Sequence, residues 1–268
     1  MESNKECANF KEIQSDKLKI RIFPGRAEMG RSAAGDTVKK IKALLEVKSE
    51  VNIVFAAAPS QNEFLAELAE NESVDWERVN AFHLDEYIGI DENAAQSFRK
   101  FLKDRLFKKL AFKSVNLLNG NAGNIEEECL RYSKLLEGFK PDIACIGIGE
   151  NGHIAFNDPQ VADFNDKRLV KPVELDELCR LQQVNDGCFD SIEKVPHRAI
   201  TLTIPAIVSA SDIFCMAPGK TKADAVFRTV RLGIDETCPA SILRIHNNAV
   251  LYIDNDSAAH LSDEMRIK

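Results

Sequence analysis

Apolar residues along this chain fall into short runs of two different periods, and the two kinds alternate over most of its length. In residues 17–23, Leu18, Ile20 and Ile22 alternate with charged positions, which is the period of a half-buried strand; Pro24-Gly25 ends it. Residues 27–47 carry Ala and Leu at helical spacing with lysines on the outside. Residues 51–57 are apolar and β-branched at the start, as in a buried strand, and Pro59-Ser60 opens a helix to residue 70 that Ser60 is placed to cap. Residues 79–84 predict the next strand, ending at Asp85-Glu86-Tyr87. A basic amphipathic helix follows at 96–110, then a short strand at 115–118 closed by Asn119-Gly120. Residues 125–139 predict a helix with Leu130, Leu135 and Leu136 on one face, and 143–146 a buried strand that runs into Gly147.

Beyond the glycines the pattern weakens. Residues 160–196 are more polar and less periodic, as in a lid, an edge hairpin or both. Periodicity returns with a strand at 199–204 stopped by Pro205, a strand at 213–216 ended by Pro218-Gly219, and a helix at 220–232. A short helix at 239–243 and a last strand at 249–253 complete the chain. Residues 1–16 are mostly polar and read as a tail. Strands alternating with helices predict an α/β fold with a mainly parallel sheet covered by helices on both faces. Without a repeat or a Gly, Ser or Pro-rich linker, residues 17–268 read as one domain with inserted loops.

Composition narrows the class. With 268 residues and 44% hydrophobic content the chain can bury a full core. The net charge of −7 argues against general nucleic-acid binding, which needs a broad basic face, but leaves room for one small anion held by a local cation and backbone N–H groups. Seven cysteines, an odd number with no CxxC pair, read as free thiols in a reducing compartment. The polar N-terminus has no apolar signal core, and no run approaches the ~18 apolar residues of a membrane span. A soluble cytoplasmic protein with a small-molecule partner is expected. The five histidines form no HxH or HExxH pattern and the chain has no GxGxxG, so neither a metal nor a dinucleotide is expected.

Three strand ends carry polar residues where open α/β sheets bind their ligands. In Ala56-Ala57-Ala58-Pro59-Ser60, a helix N-terminus and the Ser60 hydroxyl could meet an anion, or Ser60 could simply cap. In His83-Leu84-Asp85-Glu86-Tyr87, one carboxylate could be a general base; from this stretch alone, solvated turn residues are the stronger reading. The third, from Gly147 to Pro159, has Gly147, Gly149 and Gly152 followed by His153, a proton carrier near neutrality, and Asp158, which could orient it. Lys222 stands at a helix start, a disfavoured place for a cation unless an anion sits there. Arg180 and Arg168 are weaker candidates. The residues alone point to a small-molecule enzyme using a His and one or two carboxylates on an anion.

Phe82-His83-Leu84-Asp85-Glu86-Tyr87, Asn116-Leu117-Leu118-Asn119-Gly120 and the long segment from Gly147 to Pro159 resemble the glucosamine-6-phosphate deaminase family in order and spacing, over nearly all of the chain after the tail. The related 6-phosphogluconolactonases share the Gly-His core but usually continue GHTASLF; the GHIAFN at Gly152 to Asn157 is similar to the deaminase branch. The resemblance implies a three-layer α/β/α, Rossmann-like fold, a cofactor-free isomerisation and deamination of an amino-sugar phosphate, and a monomer or homo-oligomer. Asp85 matches the base that moves a proton between C2 and C1. His153 matches the ring-opening residue, with Asn151 and Asp158 as its partners. Lys222 matches the phosphate-binding lysine, with Ser60 and Arg180 at the same end, and Glu86 and Gly152 beside the motifs. The chain departs from the family pattern at Asn151 (commonly Asp), at Asp158 (commonly Glu) and in the glycine-free loop from Ala56 to Ser60. Val161 stands near the place of an effector-binding serine and only Arg168 remains of the basic residues there, so no activation by N-acetylglucosamine 6-phosphate is expected. A sugar-phosphate lactonase and a non-catalytic sugar-phosphate-binding protein are the alternatives.

Overall fold

Most apolar runs between residues 18 and 254 become strands or the inner faces of helices, though Leu130, expected beside Leu135 and Leu136 on one helix face, is 60% exposed. The computed structural model describes residues 10–261. A hairpin of β1 (Lys11–Ser15) and β2 (Leu18–Phe23) leads through α1 (Arg26–Leu45) to β3 (Val51–Phe55), and α2 (Asn62–Ala69) connects that to β4 (Val79–His83). After β5 (Asp85–Tyr87), α3 (Phe98–Leu102) and β6 (Ser114–Asn116), α4 (Ile125–Gly138) returns the chain to β7 (Ile143–Gly147). The weakly periodic region holds β8 (Val170–Glu174) and α5 (Glu177–Asn185), followed by β9 (Arg198–Leu202) and α6 (Ile204–Val208). Finally β10 (Asp212–Met216), α7 (Ala223–Arg231) and β11 (Ala249–Asp254) close the sheet.

The main sheet has eight strands in the order β1-β2-β11-β10-β7-β3-β4-β6, parallel except for the β1–β2 pair. All five residues of β3 are buried, because the pleat sends Ile53 and Phe55 to one face and Val54 to the other. On the first face Met29, Ala33 and Ile41 of α1 pack with Phe64 and Leu68 of α2. On the second, Tyr132 and Leu136 of α4 pack with Ile207 of α6 and Val226 and Val230 of α7. The result is the three-layer arrangement with a mainly parallel central sheet. The chain builds outward from β3 to β6, then returns to β7 on the other side of β3 and builds toward β11. The order therefore reverses between β3 and β7, and beyond the carboxyl ends of those strands such a sheet opens a crevice.

Several elements differ from the sequence pattern. Residues 11–15, read as tail, form an edge strand with Ile13 opposite Ile20; five residues with one large apolar side chain carry too little alternation to show it. Residues 1–9 lie outside the described ones. The strand at 199–204 does not join the main sheet, and Asp85-Glu86-Tyr87 is not a turn. β5, β9 and β8 form a separate antiparallel sheet of three strands. Leu84 bridges the two sheets: its N–H donates to Phe55 O at 3.2 Å and its carbonyl accepts from Leu202 N at 3.1 Å. Pro205 does not end a strand into a loop but sits in the first turn of α6, where Thr203 Oγ1 caps Ala206 N at 3.3 Å. The helix predicted at 96–110 starts at Phe98 and widens into a π turn at Lys103–Phe107. The helix predicted at 220–232 opens as a 3₁₀ turn, Lys220–Lys222, and the short helix at 239–243 is 3₁₀ throughout, Pro239–Ile245.

Candidate active site

A cleft opens at the β3/β7 reversal, lined by residues from several strand ends. The loop after β3 supplies Ala56 to Ala58 and Ser60, the end of β4 supplies Leu84 and Asp85, and the loop after β7 supplies Gly147, Ile148, Gly149 and His153. Lys222 enters from the turn before α7, and Gln182, Gln183 and Asp186 from α5 and its end. Phe98 and Phe156 form an apolar wall, stacked at 5.6 Å and backed by Tyr87, which lies 4.8 and 5.2 Å from them. Four strand ends and the inserted helix thus converge on one space.

The loop after β7 is shaped around His153. Gly149 N donates to His153 O at 2.9 Å, folding the loop back on itself. A Cβ on Gly149 would lie 2.2 Å from Cε1 and Nε2 of the His153 ring, so the glycine makes room for the histidine rather than for a ligand. Gly152 has φ +90°, and a side chain there would also meet Cys238 Sγ at 2.8 Å; only glycine serves. His153 is 8% exposed, and its Nδ1 lies 2.9 Å from Asp158 Oδ1, in ion-pair range though out of line for an ideal hydrogen bond. Burial pushes the Asp158 carboxyl up, but the adjacent His153 ring, with Asn151 and Cys179, outweighs this and holds it below the usual carboxylate range.

Asn151 is absent from the cavity wall and works behind it. Its Nδ2 donates to Asp158 Oδ1 at 2.9 Å and faces Asp176 Oδ2 at 3.4 Å, while its Oδ1 accepts from His153 N at 3.0 Å. An amide can bridge two carboxylates that a third carboxylate would repel, which gives the departure from Asp a physical reason. The motif is then locked to the second sheet: Asn157 Nδ2 donates to Ile154 O at 3.0 Å and Leu202 O at 2.8 Å.

Asp85 lines the same cavity, at the point where the chain passes from one sheet to the other. It is 6% exposed. Burial first, and the neighbouring Glu86 second, push its carboxyl well above the usual carboxylate range. Lys222, on the same lining, is 5% exposed and forms no ion pair with any described residue. Burial lowers its pKa, while Asp186, Glu150 and Cys179 act the other way. Ser60 does not cap α2, whose N-terminus has no side-chain cap; its hydroxyl accepts from Gln61 Nε2 at 3.2 Å and lines the cavity.

Two candidates are placed elsewhere. Glu86 is fully buried and points away from the cavity. It accepts from Ser97 Oγ at 3.0 Å, Phe98 N at 3.1 Å, Arg99 N at 2.9 Å and Arg99 Nε at 3.2 Å, and so anchors the start of α3. Arg180 turns its guanidinium to the carbonyls of Ile192 and Val195 and contributes nothing to the cavity wall. Arg168, the weaker candidate, pairs with Glu126 outside the cavity. Sequence reasoning missed Gln182, Gln183 and Asp186, because α5 lies in the polar region. The available signal was Asp176, which caps Cys179 N at the start of that helix. Folding also unites His153, Asp158 and Cys179, whose ligand atoms lie within 4.8 Å of one another, the one group among the described residues able to hold a metal ion. Spacing along the chain could not show it.

Comparison with known proteins fits this geometry. Residues 24–252 match the family described as glucosamine-6-phosphate isomerases/6-phosphogluconolactonase. The chain belongs to that family. It is 37% identical over 252 residues to a glucosamine-6-phosphate deaminase of Clostridium novyi, covering 91% of this chain and 100% of the relative. It is 35% identical to one of Bacillus thuringiensis, over 84% of each chain. Among solved structures, a monomeric glucosamine-6-phosphate deaminase superposes with a TM-score of 0.81 at 31% identity, covering 90% of this chain and 98% of that one. A 6-phosphogluconolactonase of Thermotoga maritima superposes with a TM-score of 0.73 at 21% identity, covering 89% of this chain and 100% of that one, a likeness of fold alone. Among the described residues no helix is long and apolar enough to cross a membrane.

Proposed function

We propose that this family member isomerises and deaminates an amino-sugar phosphate, converting glucosamine 6-phosphate and water to fructose 6-phosphate and ammonia. The observation that carries the reading is that Asp85, His153 and Lys222 line one cavity, with Asp158 2.9 Å behind the His153 ring. The relatives' names support the same chemistry. Asp158 Oδ1 lies beside Nδ1, leaving Nε2 of His153 to take the proton of the anomeric hydroxyl and deliver one to the ring oxygen, which opens the pyranose to the aldehyde. Asp85 then takes the proton from C2, giving an enolamine, and returns it to C1 to leave a ketimine. Water adds to the C2 carbon, and the C–N bond breaks with release of ammonia. A base whose pKa is raised by burial is matched to that two-way transfer. Lys222 with the Ser60 hydroxyl holds the phosphate end. A lactonase needs no base at C2, so Asp85 favours the deaminase. The test is to assay ammonia and ketose phosphate from glucosamine 6-phosphate, beside its galactosamine epimer. Both products should form in equal amounts from one sugar. Hydrolysis of 6-phosphogluconolactone without ammonia release would overturn the proposal, as would sugar binding without turnover.

A further inference from the structure

We propose that His153, Asp158 and Cys179 form a binding site for a soft divalent cation of the zinc class, and that a cation held there switches the enzyme off. The loop after β7 supplies the first two side chains and the first turn of α5 the third, and their imidazole nitrogen, carboxylate oxygen and thiol sulfur lie within 4.8 Å of one another. All three side chains are buried. Two of the donor atoms are unused. His153 Nδ1, though 2.9 Å from Asp158 Oδ1, has no aligned partner, and Asp158 Oδ2 is shielded from solvent with no hydrogen bond, while Asn151 occupies Oδ1. The Cys179 thiol faces the same carboxylate. Buried polar atoms normally find partners, so an orphaned nitrogen and oxygen beside a thiol mark a place with coordination to give. Zinc bonds of about 2.0–2.3 Å put tetrahedral ligands roughly 3.3–3.8 Å apart, so closing the three donors on one ion takes shifts of about 1–1.5 Å at most, and a fourth position is left for water. Thiolate and imidazole select zinc and its softer relatives; magnesium and calcium need several oxygens and find one unengaged carboxylate oxygen here. Binding takes the lone pair of Nδ1, so the neutral ring then carries its proton on Nε2, and the Cys179 thiol gives its proton to solvent. An Nε2 that already holds a proton has no lone pair to take one from the anomeric hydroxyl, and Asp158 no longer orients the ring. The site itself is independent of the substrate; the inhibition rests on the role proposed for His153.

The experiment titrates Zn²⁺ into the full chain, stripped of metal and of chelator, and repeats it with Cys179→Ser and Cys179→Ala. Calorimetry should give one bound ion per chain, and binding weaker by about 100-fold or more in both variants, since losing a ligand costs at least as much as losing a group that orients one. Co²⁺, as the spectroscopic probe, should show a sulfur-to-cobalt charge-transfer band in the wild type and none in either variant, and Mg²⁺ should give no binding heat. Ammonia release from glucosamine 6-phosphate, read in each protein relative to its own metal-free rate, should fall by about 10²-fold or more when the wild-type site is filled, and return when a chelator is added. No bound Zn²⁺, equal affinity in the wild type and both variants, or a cobalt complex without the sulfur band overturns the site. A filled site with undiminished ammonia release overturns the inhibition, and with it the role of Nε2. A protein that releases no ammonia even without metal removes the deaminase reading, and the calorimetry and the cobalt band still confirm or overturn the site.

Discussion

Replacing Gly149 by alanine adds one methyl group, yet it should disable His153. The new Cβ would lie 2.2 Å from Cε1 and Nε2 of the ring and 2.4 Å from Nδ1, separations no carbon contact tolerates. The loop backbone is held by the Gly149 N to His153 O hydrogen bond at 2.9 Å, so the ring is the part that gives. Moving it breaks the 2.9 Å contact of Nδ1 with Asp158 and, on the proposed mechanism, takes Nε2 off the substrate's ring oxygen. A positioned acid–base group contributes about 10²–10⁴-fold, or about 3–5 kcal/mol of transition-state stabilisation. Steady-state ammonia release by Gly149→Ala should fall by that factor. The thermal midpoint should shift only a few degrees, since the displaced ring is at the cavity and not in the core. Because both changes remove the same proton transfer, Gly149→Ala with His153→Ala should be no slower than His153→Ala alone. A folded Gly149→Ala enzyme with more than about a tenth of wild-type turnover would refute the reasoning.

Glu86→Ala should act on stability, because it leaves Arg99 a buried charge without its carboxylate; a loss of about 3–5 kcal/mol in urea unfolding is expected, and a loss below about 1 kcal/mol would contradict the anchoring role. Asp85→Asn should abolish turnover but gain stability. The folded carboxyl pKa is raised, so its stability is complete below the unfolded value of about 3.9 and falls as pH rises through the folded value. An isosteric amide removes that fall, and the variant's unfolding free energy should exceed the wild type's at neutral pH; equal curves from pH ~4 to ~8 would argue against a buried, raised carboxyl. Lys222→Met keeps the length of the side chain and removes the cation. KM for the phosphorylated sugar should rise about 10- to 100-fold, from the loss of a charged hydrogen bond, with kcat changed far less; an unchanged KM would place the phosphate elsewhere.

The strands of the main sheet were legible because each carries a run of apolar residues long enough to show its period. β1 was not, since Ile13 is its one large apolar side chain, and β5 was not, since Asp85-Glu86-Tyr87 is three residues long and opens with two acids that strands disfavour. What makes β5 a strand is pairing with β9, more than a hundred positions away, which no local pattern records. His153, Asp158, Asp85 and Lys222 could be named because each follows a strand end, and the sheet gathers those ends at one crevice. Roles were harder than places. Glu86 and Asp85 are neighbours, yet the pleat sends one to the start of α3 and the other to the cavity. Arg180 lies within α5 and Asp186 just past its end, and only the helix's rotation decides that the acid, not the base, lines the cavity with Lys222.

The most direct test of the account follows the C2 proton of glucosamine 6-phosphate by NMR in D₂O, with wild type and Asp85→Asn side by side. The account predicts that the wild type consumes the C2–H signal as fructose 6-phosphate and ammonia appear, with some deuterium at C1, and that the Asp85→Asn sample stays unchanged over the same period. Loss of the signal in Asp85→Asn at a rate within about tenfold of the wild type would contradict it, because a proton transfer that needs no carboxylate at residue 85 is not the one this cavity is built to perform.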